Sequence, residues 1–464
     1  MRTRLTRRGR VVLRVLASAM VAAAAVLTAT VAARDEPAVA APPDERRAAT
    51  PLLSARRLPH LFTDELARRR LQESLDAFAA RLGGDVCIAV DDAPGDGVLA
   101  RVGPGTAHAP ASAIKLLTGA AALEVLGPAH RFTTRVALDG RTLHLVGGAD
   151  PVLTTPAYEA RLRADPVTQA APVTPLARLA DDTAAALRER GVTAVDAVVG
   201  DGTRHTDADF LPGWRESYRD DVGPLGALAV DDGTEPAGRA ADAASSAAAQ
   251  FAALLAARGV AVGGVAAAPA PADAPDVATI ESPPLEVLVA AMLTSSDNYT
   301  AEILLREVGR ARGGAATTAA GAAATAAVLR AVGVPTDGLT MLDGSGLHPG
   351  NRVTCETLLA VLQLREPGLE ALDSGLAVAG RSGTLRTRVA PDDPLAGVLR
   401  AKTGQIRGVV ALAGVVDDAE RLRFAFEHAG AFSTAEGHAH QLELARIVAA
   451  YPEAPAAPDL VPAP

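Results

Sequence analysis

The spacing of hydrophobic and polar positions predicts a mixed helix-and-sheet protein whose two ends belong to one domain. Apolar residues recur at helical spacing over 64–82, with acidic residues near the start of that segment. Short apolar runs bounded by turn residues indicate strands. Strands are predicted at 85–91, 97–102, 395–403, 408–416 and 421–427, and further helices at 112–126 and 434–451. A helix, a polar turn at 295–298 and a second helix are predicted within 284–309.

The middle of the chain reads as an insertion. Residues 132–273 alternate short strands with Gly/Asp turns and Ala-rich helices, and they end in a low-complexity Pro/Ala stretch. We therefore expect a principal domain formed by 59–131 and 274–451, interrupted by an inserted domain at 132–273. The Pro- and Ala-rich segments 41–58 and 452–464 are predicted to be a linker and a disordered tail.

The first forty residues are typical of an export signal. Residues 1–14 carry several Arg and no acid, residues 15–33 carry no charge, and Ala38-Val39-Ala40 forms an A-x-A cleavage site. The uncharged stretch is long enough to remain as a membrane anchor, but its high Ala content favours a cleaved signal over 1–40. The rest of the chain is expected to work outside the cytoplasm, and to contact a membrane only through this segment if it is uncleaved.

Composition excludes several classes of function. The formal net charge of −9 leaves no electrostatic footprint for nucleic acid. With only two cysteines, Cys87 and Cys355, the chain has neither a disulfide framework nor a Cys-rich zinc site. One disulfide between them is possible, but two ordinary buried thiols are the favoured interpretation.

Lysine and asparagine are unusually rare, which draws attention to the few that occur. All but two of the 45 basic residues are Arg, and the exceptions are Lys115 and Lys402. The chain also has only two Asn, Asn298 and Asn351. Arg cannot lose its proton, whereas a buried Lys can act as a base. The two lysines are therefore candidates for positions where Arg would fail.

Lys115 belongs to a Ser-x-x-Lys motif, Ser112-Ala113-Ile114-Lys115, at the start of a predicted helix. The spacing places Ser112 and Lys115 on one helix face, so a neutral Lys can take the Ser proton as the hydroxyl attacks a carbonyl. The helix N-terminus favours developing negative charge. Alone, the motif is weak, because a capping Ser beside a solvated Lys gives the same pattern.

Two further motifs follow in an order that strengthens the first. Ser296-Asp297-Asn298 lies in the predicted polar turn, where Ser296 can relay a proton and Asn298 can hold a substrate carbonyl, although these residues also favour helix caps. Lys402-Thr403-Gly404 lies on a predicted strand, whose edge can pair with an extended peptide while Gly404 allows close approach. The charge of Lys402 attracts a carboxylate and keeps Lys115 neutral by repulsion. The trio is the signature of β-lactamases and penicillin-binding proteins.

Additional segments make the resemblance specific. From about residue 62 to residue 451 the chain resembles the D-alanyl-D-alanine carboxypeptidase/endopeptidase family, the low-molecular-mass class C penicillin-binding proteins. The second motif extends to 296–302 (SDNYTAE), and four further segments resemble family motifs: 147–153 (GGADPVL), 343–347 (DGSGL), 351–354 (NRVT) and 380–385 (GRSGTL). The long gap between Ser112 and Ser296 does not fit a simple β-lactamase, but it accommodates the inserted domain.

The resemblance implies an α+β fold with a serine β-lactamase/penicillin-binding transpeptidase-like core, an antiparallel sheet covered by helices. It implies a serine-type D-Ala-D-Ala carboxypeptidase or endopeptidase that acts on peptidoglycan stem peptides and is inhibited covalently by β-lactams, without a metal or other cofactor. The implied roles are nucleophile for Ser112, base for Lys115, proton relay for Ser296, substrate positioning for Asn298, carboxylate binding for Lys402 and Thr403, and an oxyanion hole from the N–H groups of Ser112 and Gln405.

The third motif departs from the family pattern. Where the family usually has Thr or Ser after Lys-Thr-Gly, this chain has Gln405, followed by Ile406 and Arg407. If the strand continues, Thr403, Gln405 and Arg407 share the cleft face, because residues two apart on a strand point the same way. Arg407 is then a candidate carboxylate anchor, since a guanidinium can form two hydrogen bonds to a carboxylate. A solvated charge at the strand end is the alternative.

The motifs and several single residues are compatible with alternative interpretations. A serine β-lactamase or esterase with the same trio, and a catalytically weak cell-wall-binding protein, are the rival functions. Trp214 and Tyr218 resemble aromatic positions of the family that line the cleft, but burial in the insertion's own core is equally compatible with the sequence. His438 and His440 lie on the predicted closing helix without other metal ligands and are expected to be on a solvated face.

Overall fold

The computed structural model describes residues 58–92, 97–235, 238–418 and 420–452. The predicted export signal, the predicted linker before residue 58 and the tail beyond residue 452 lie outside these residues. Among the helices that are described, none combines the length and the apolar character needed to span a membrane.

The principal sheet has six strands in the order β16-β17-β18-β19-β1-β2, and all neighbours are antiparallel. β1 from the start of the described chain pairs with β19 from its end, so both ends of the chain close one sheet. The strands are β1 (Asp85–Asp92), β2 (Val98–Val102), β16 (Ala377–Val378), β17 (Leu399–Ile406), β18 (Val409–Asp417) and β19 (Arg421–Ala429). The five predicted strands are thus confirmed, with shifts of a few residues at their ends.

The central strands of this sheet carry apolar side chains on both faces, so helices cover both faces. One face packs against the first and last helices, α1 and α11, through buried Phe78, Phe424 and Phe426. The other face packs against the central helices, including α2, through buried Ile114, Leu116 and many small residues. The helices of this layer system are α1 (Leu58–Leu82), α2 (Lys115–Leu126), α6 (Leu285–Ser295), α7 (Asn298–Gly313), α8 (Thr318–Ala331), α9 (Cys355–Gln363), α10 (Ala371–Ser374) and α11 (Thr434–Ala449).

A second, five-stranded sheet is formed mostly by the predicted insertion, in the order β13-β9-β5-β4-β14, and has its own buried core. Its strands are β4 (Thr133–Asp139), β5 (Thr142–Val146), β9 (Ala197–Asp201), β13 (Val265–Ala267) and β14 (Asp276–Glu281). The sheet continues past residue 273, because the low-complexity stretch connects β13 to β14. That the segment forms a separate domain stays a prediction.

Short elements complete the chain. The helices of the insertion are α3 (Pro156–Ala164), α4 (Leu176–Glu189) and α5 (Ala243–Ala256). The short strands are β3 (Ala107–His108), β6 (Leu153–Thr154), β7 (Thr174–Pro175), β8 (Ala194–Val195), β10 (Thr234–Glu235), β11 (Gly238–Arg239), β12 (Ala261–Val262) and β15 (Val353–Thr354). The pairing of β3 with β15 matters most for function, since β3 leads directly into the Ser-x-x-Lys motif.

The two cysteines are bonded to each other, which corrects the expectation of two free thiols. Cys87 lies on β1 and Cys355 is the first residue of α9, and their Cα atoms are 6.0 Å apart. The sequence does not reveal this pairing, because 268 residues separate the two positions and only the packing of α9 on the sheet brings them together.

Candidate active site

The Ser-x-x-Lys motif begins in a tight turn rather than in a regular helix. Ala111–Ile114 form a 3-10 turn, and α2 begins at Lys115. Ala111 has a φ of 44°, in the left-handed region that residues other than glycine rarely adopt. Its carbonyl oxygen would lie 1.9 Å from a Cβ atom at position 346, so Gly346 is needed there. The loop carrying Gly346 therefore packs directly against the nucleophile's turn.

Lys115 is the central residue of the site. Its Nζ donates hydrogen bonds to Ser112 Oγ at 2.9 Å, Asn298 Oδ1 at 2.8 Å and the Ser345 carbonyl oxygen at 2.6 Å. The side chain is fully buried. Burial lowers the pKa of Lys115 from 10.5 to about 8, although three nearby carboxylates raise it in opposition. A neutral amine next to a serine hydroxyl is therefore accessible near neutral pH.

The second motif lies where the sequence predicts it, in the turn between α6 and α7. Ser296 ends α6 in the left-handed conformation, with φ 65° and ψ 36°. Asp297 caps α7 by accepting a hydrogen bond from the backbone N–H of Tyr299 at 2.9 Å. This turn directs Asn298 to Lys115, and the Asn298 amide also donates to the Asp221 carbonyl at 3.2 Å. Among the described residues, none is hydrogen-bonded to the Ser296 hydroxyl.

The third motif lies on β17, next to the nucleophile's turn. Lys402 is fully buried, and burial lowers its pKa well below the ordinary value, with the cations of Lys115 and Arg388 adding to the effect. The sequence suggested that repulsion by Lys402 keeps Lys115 neutral; for Lys115 itself, burial is the dominant cause. Lys402 Nζ donates to the Thr403 carbonyl at 2.7 Å, and the Thr403 hydroxyl is 2.8 Å from that of Thr384.

The outer edge of β17 is available for an extended ligand. Among the described strands, β16 pairs with this edge only at Arg400 and Ala401. Beyond them, no described strand pairs with the backbone from Lys402 to Ile406 on the side away from β18, although the Thr403 carbonyl there accepts the hydrogen bond from Lys402 Nζ. Gly404 also has a structural reason to be glycine, because a Cβ there would meet the Pro110 carbonyl oxygen at 2.6 Å. Gly404 thus lets the strand approach the nucleophile's own turn.

The residues after Gly404 differ from the expected alternation. β17 ends at Ile406, which pairs with Val409 across a two-residue turn formed by Arg407 and Gly408. Arg407 is exposed on this turn, and no ion pair links it to another described residue. The expectation that Arg407 shares a strand face with Thr403 and Gln405 is therefore wrong, because the strand reverses one residue too early.

Gln405 is held by the closing helix. Its Oε1 is hydrogen-bonded to Nε2 of His438 on α11, and the neighbouring Gln441 donates to the Gly404 carbonyl at 3.1 Å. His438 and His440 are half-buried, and the His440 ring packs edge-on against Phe432. The expectation of a solvated face for these two histidines is corrected. α11 turns them toward the sheet, where His438 braces the strand that carries the third motif.

Glu302 and Asp343 had no assigned role from the sequence, and they organise the cradle of Lys115. Glu302 Oε1 accepts hydrogen bonds from the N–H groups of Gly344 at 2.9 Å and Ser345 at 2.7 Å. This fixes the Ser345 carbonyl, which accepts from Lys115. Burial raises the pKa of Glu302 to about 7, with the Asp343 carboxylate adding to the effect. Their segments were recognisable as DGSGL and the end of SDNYTAE, but a backbone carbonyl acting as ligand has no sequence signature.

Asp343 organises the same loop. Its carboxylate accepts four hydrogen bonds, all from donors within 2.9 Å: the N–H groups of Gly346 and His348, the Asn351 amide and the Trp214 indole. The last bond settles the position of Trp214, which is buried in the core beneath the site rather than in the insertion's own core. Tyr218 is partly buried against the same core. Asn351, the second asparagine, thus has a structural role.

Comparisons with known proteins agree with this geometry. The chain matches the model of the D-Ala-D-Ala carboxypeptidase 3 (S13) family over residues 69–238 and 224–451. It is 33% identical over 337 residues to "Carboxypeptidase Rv3627c" of Mycobacterium tuberculosis, covering 68% of this chain and 70% of that protein. It is 30% identical over 429 residues to the D-alanyl-D-alanine carboxypeptidase of Actinomadura sp. R39, covering 75% and 79%.

Solved structures show the same fold. Penicillin-binding protein 4 (DacB) of Haemophilus influenzae superposes with a TM-score of 0.66 at 19% identity, over 81% of this chain and 99% of that one. The predatory peptidoglycan endopeptidase Bd3459 of Bdellovibrio bacteriovorus gives a TM-score of 0.51 at 17% identity, over 78% and 90%. The predicted α+β penicillin-binding fold is confirmed. The chain belongs to the D-Ala-D-Ala carboxypeptidase 3 (S13) family.

Proposed function

We propose that this D-Ala-D-Ala carboxypeptidase acts on peptidoglycan stem peptides through an acyl-enzyme on Ser112, and that β-lactams acylate the same hydroxyl. One observation carries the proposal. The fully buried Lys115 amine joins Ser112 Oγ to Asn298, so the first two motifs meet at one nitrogen. Such a nucleophile and base within hydrogen-bonding distance are the starting geometry for covalent catalysis by a serine.

Acylation follows from this arrangement. Ser112 Oγ attacks the carbonyl carbon of the penultimate D-Ala while its proton passes to the neutral Lys115 amine. The N–H groups of Ser112 and Gln405 are the proposed donors to the tetrahedral oxyanion. The peptide C–N bond then breaks, and a proton delivered through Ser296 leaves with the terminal D-Ala amine. Water hydrolyses the ester on Ser112, which restores the hydroxyl and releases the shortened peptide.

Substrate orientation is assigned to β17. No described strand pairs with its edge from Lys402 to Ile406, which supports docking of an extended peptide there by strand addition. The hydroxyl of Thr403 and the amine of Lys402 are the proposed binders of the terminal carboxylate, with Asn298 holding a peptide carbonyl. Carboxypeptidase and endopeptidase reactions share this acylation step and differ only in whether the leaving amine is free D-Ala or a cross-linked residue.

Release of D-Ala tests the proposed activity. We expect a synthetic peptide ending in D-Ala-D-Ala to lose one D-Ala, measured by chromatography, and a Ser112→Ala variant to lose this activity. Binding of the peptide without release of D-Ala would favour the catalytically weak wall-binding protein instead. Rapid, repeated hydrolysis of a β-lactam, in place of a long-lived adduct, would favour a β-lactamase or esterase.

Arg407 provides a second, smaller test. The turn that carries it follows the carboxylate-binding strand directly, and its guanidinium is exposed and unpaired among the described residues. If it contributes to carboxylate recognition, Arg407→Ala raises KM about threefold to tenfold for a peptide acid, in line with a partly exposed charge pair. KM for the corresponding C-terminal amide should stay constant. Equal changes for the two substrates would remove Arg407 from carboxylate recognition.

The site of action is proposed to be the extracytoplasmic cell wall. The substrate class lies there, and the Cys87–Cys355 disulfide is of a kind that persists in oxidising compartments. The Arg-rich start and uncharged stretch of the first forty residues support export, with the segment either removed or retained as an anchor. Mass determination of the N-terminus of the mature protein distinguishes these two forms.

A further inference from the structure

Glu427 is a buried carboxyl group that the proposed peptidase mechanism does not use. It lies on β19 directly across from Cys87 on β1, and it is fully buried. Its Oε2 lies 3.4 Å from Cys87 Sγ. Its Oε1 has no hydrogen-bond partner among the described residues. The sulfur atoms of Cys87 and Cys355 and the Glu427 carboxyl therefore form one cluster inside the core.

This placement is costly in the disulfide form, which calls for an explanation. A disulfide sulfur carries no hydrogen to donate, so Glu427 has no donor in its surroundings. Burial, followed by the repulsion of the Glu356 carboxylate, raises the pKa of Glu427 well above its ordinary range, so this carboxylate binds a proton more tightly than an exposed one. A carboxyl group that has no hydrogen-bond donor in the disulfide form can still have a role in the dithiol form that precedes it.

A second carboxylate on the same sheet face shows the usual solution. Asp91 is also buried on β1, but Arg423 on β19 lies across from it and donates to it at 2.8 Å and 3.1 Å. Among the described residues, none forms an ion pair with Glu427, and the residue across from it on β1 is Cys87. In the dithiol state, however, Cys87 has an S–H that can donate to Glu427 at the observed separation. The surroundings of Glu427 therefore fit the dithiol better than the disulfide.

We propose that Cys87, Cys355 and Glu427 form a thiol–disulfide site in which Glu427 takes the Cys87 proton when the disulfide is made. The co-reactant is a small-molecule or protein disulfide. With the proton on Glu427, the Cys87 thiolate attacks one sulfur of the oxidant, whose S–S bond breaks and whose other sulfur leaves as a thiolate. Cys355 Sγ then attacks Cys87 Sγ in the mixed disulfide. The second oxidant sulfur leaves with the Cys355 proton, so two protein thiols are oxidised and one disulfide is reduced.

The bond made in this step supports the peptidase site. Cys355 follows β15 directly, and β15 pairs with β3, which leads into the turn that carries Ser112. Closing the disulfide therefore ties the strand pair behind Ser112 to the central sheet. A base that speeds formation of the disulfide would shorten the time that the chain spends outside the cytoplasm in its reduced form.

Refolding kinetics test the proposal. The full-length reduced, denatured chain is refolded with oxidised glutathione, samples are trapped with an alkylating reagent, and the disulfide fraction is measured by mass. We expect Glu427→Gln to slow disulfide formation about tenfold at pH 6.5, since a thiol there needs a base. The difference from wild type should shrink near pH 9, where thiols ionise unaided. Glu356→Gln is the matched control: it removes the neighbouring carboxylate but leaves the proposed base in place, so it should slow oxidation much less than Glu427→Gln does.

Several outcomes would overturn the proposal. Equal slowing at both pH values would mean that Glu427 affects folding rather than proton transfer, and an unchanged rate at pH 6.5 would exclude a role. Equal or greater slowing by Glu356→Gln would show that Glu427 is not the carboxylate that takes the Cys87 proton. Benzylpenicillin acylation of the oxidised Glu427→Gln protein confirms that it reaches the native fold. If it does not refold, Glu427→Asp replaces it, and retention of fast oxidation at pH 6.5 is then the expected result.

Discussion

Replacing Lys115 by Arg is expected to abolish acylation while the fold persists. The guanidinium keeps a positive charge and hydrogen-bond donors, but it cannot become neutral and accept the Ser112 proton. Removal of one member of a catalytic group of this kind costs on the order of 10³-fold or more in rate. The measurement is the rate of benzylpenicillin acylation followed by intact mass, with the melting temperature as the check on folding.

The pH dependence of the wild-type reaction provides a second readout of the same base. Because the neutral form of Lys115 is active and its pKa is lowered to about 8, the acylation rate should rise with pH and level off above that value. Lys402→Arg keeps the cation and serves as the matched control, with a smaller loss. Retention of full activity in Lys115→Arg, or a rate that is flat from pH 6 to pH 9, would contradict the assignment of Lys115 as base.

Asp343→Asn is expected to give the second largest effect, although Asp343 does not touch the nucleophile. The carboxylate accepts four hydrogen bonds, and an amide in its place has one oxygen and presents N–H groups to N–H donors. Buried donors left unpaired cost about 1–3 kcal/mol each in stability. A shift of the Ser345 carbonyl that holds Lys115 should lower acylation by on the order of 10²-fold.

Two features distinguish this effect from simple destabilisation. Asp343 raises the pKa of Lys115, so removing its charge should move the midpoint of the pH–rate profile of the residual activity to lower pH. Asp337→Asn, an exposed acid in the same region of the chain, is the control and should change the free energy of unfolding by no more than about 0.5 kcal/mol. A stable Asp343→Asn protein with normal acylation would show that the loop does not position Lys115.

The sequence predicted the reacting residues of the site better than the residues that hold them in position. Lys115 and Asn298 stood out because Lys and Asn are rare in this chain, and the structure brings both together with Ser112. The family and the α+β fold could be predicted because each motif is a short run of residues on a predicted helix, turn or strand, and the order of the motifs can be read along the chain. The cradle of Glu302 and Asp343 could not be predicted, because it acts through backbone N–H groups and a carbonyl that every residue has.

The predictions that failed depended on tertiary contacts. The pairing of Cys87 with Cys355 requires that α9 pack on β1, which no local pattern encodes. Arg407 was placed on a strand face because alternation was extended one residue beyond the strand end at Ile406, into the turn. His438 was assigned to solvent because its partner, Gln405, lies on a strand 33 residues away. Each case reflects a partner distant in the chain or a boundary that periodicity does not define.

Identification of the acylated residue tests the central claim most directly. The protein is incubated with benzylpenicillin, its intact mass is measured, and the modified peptide is sequenced by mass spectrometry, with Ser112→Ala treated in parallel. The account predicts a single adduct, located on Ser112 and missing in the variant. An adduct on another residue, or no adduct on the folded wild-type protein, would contradict it.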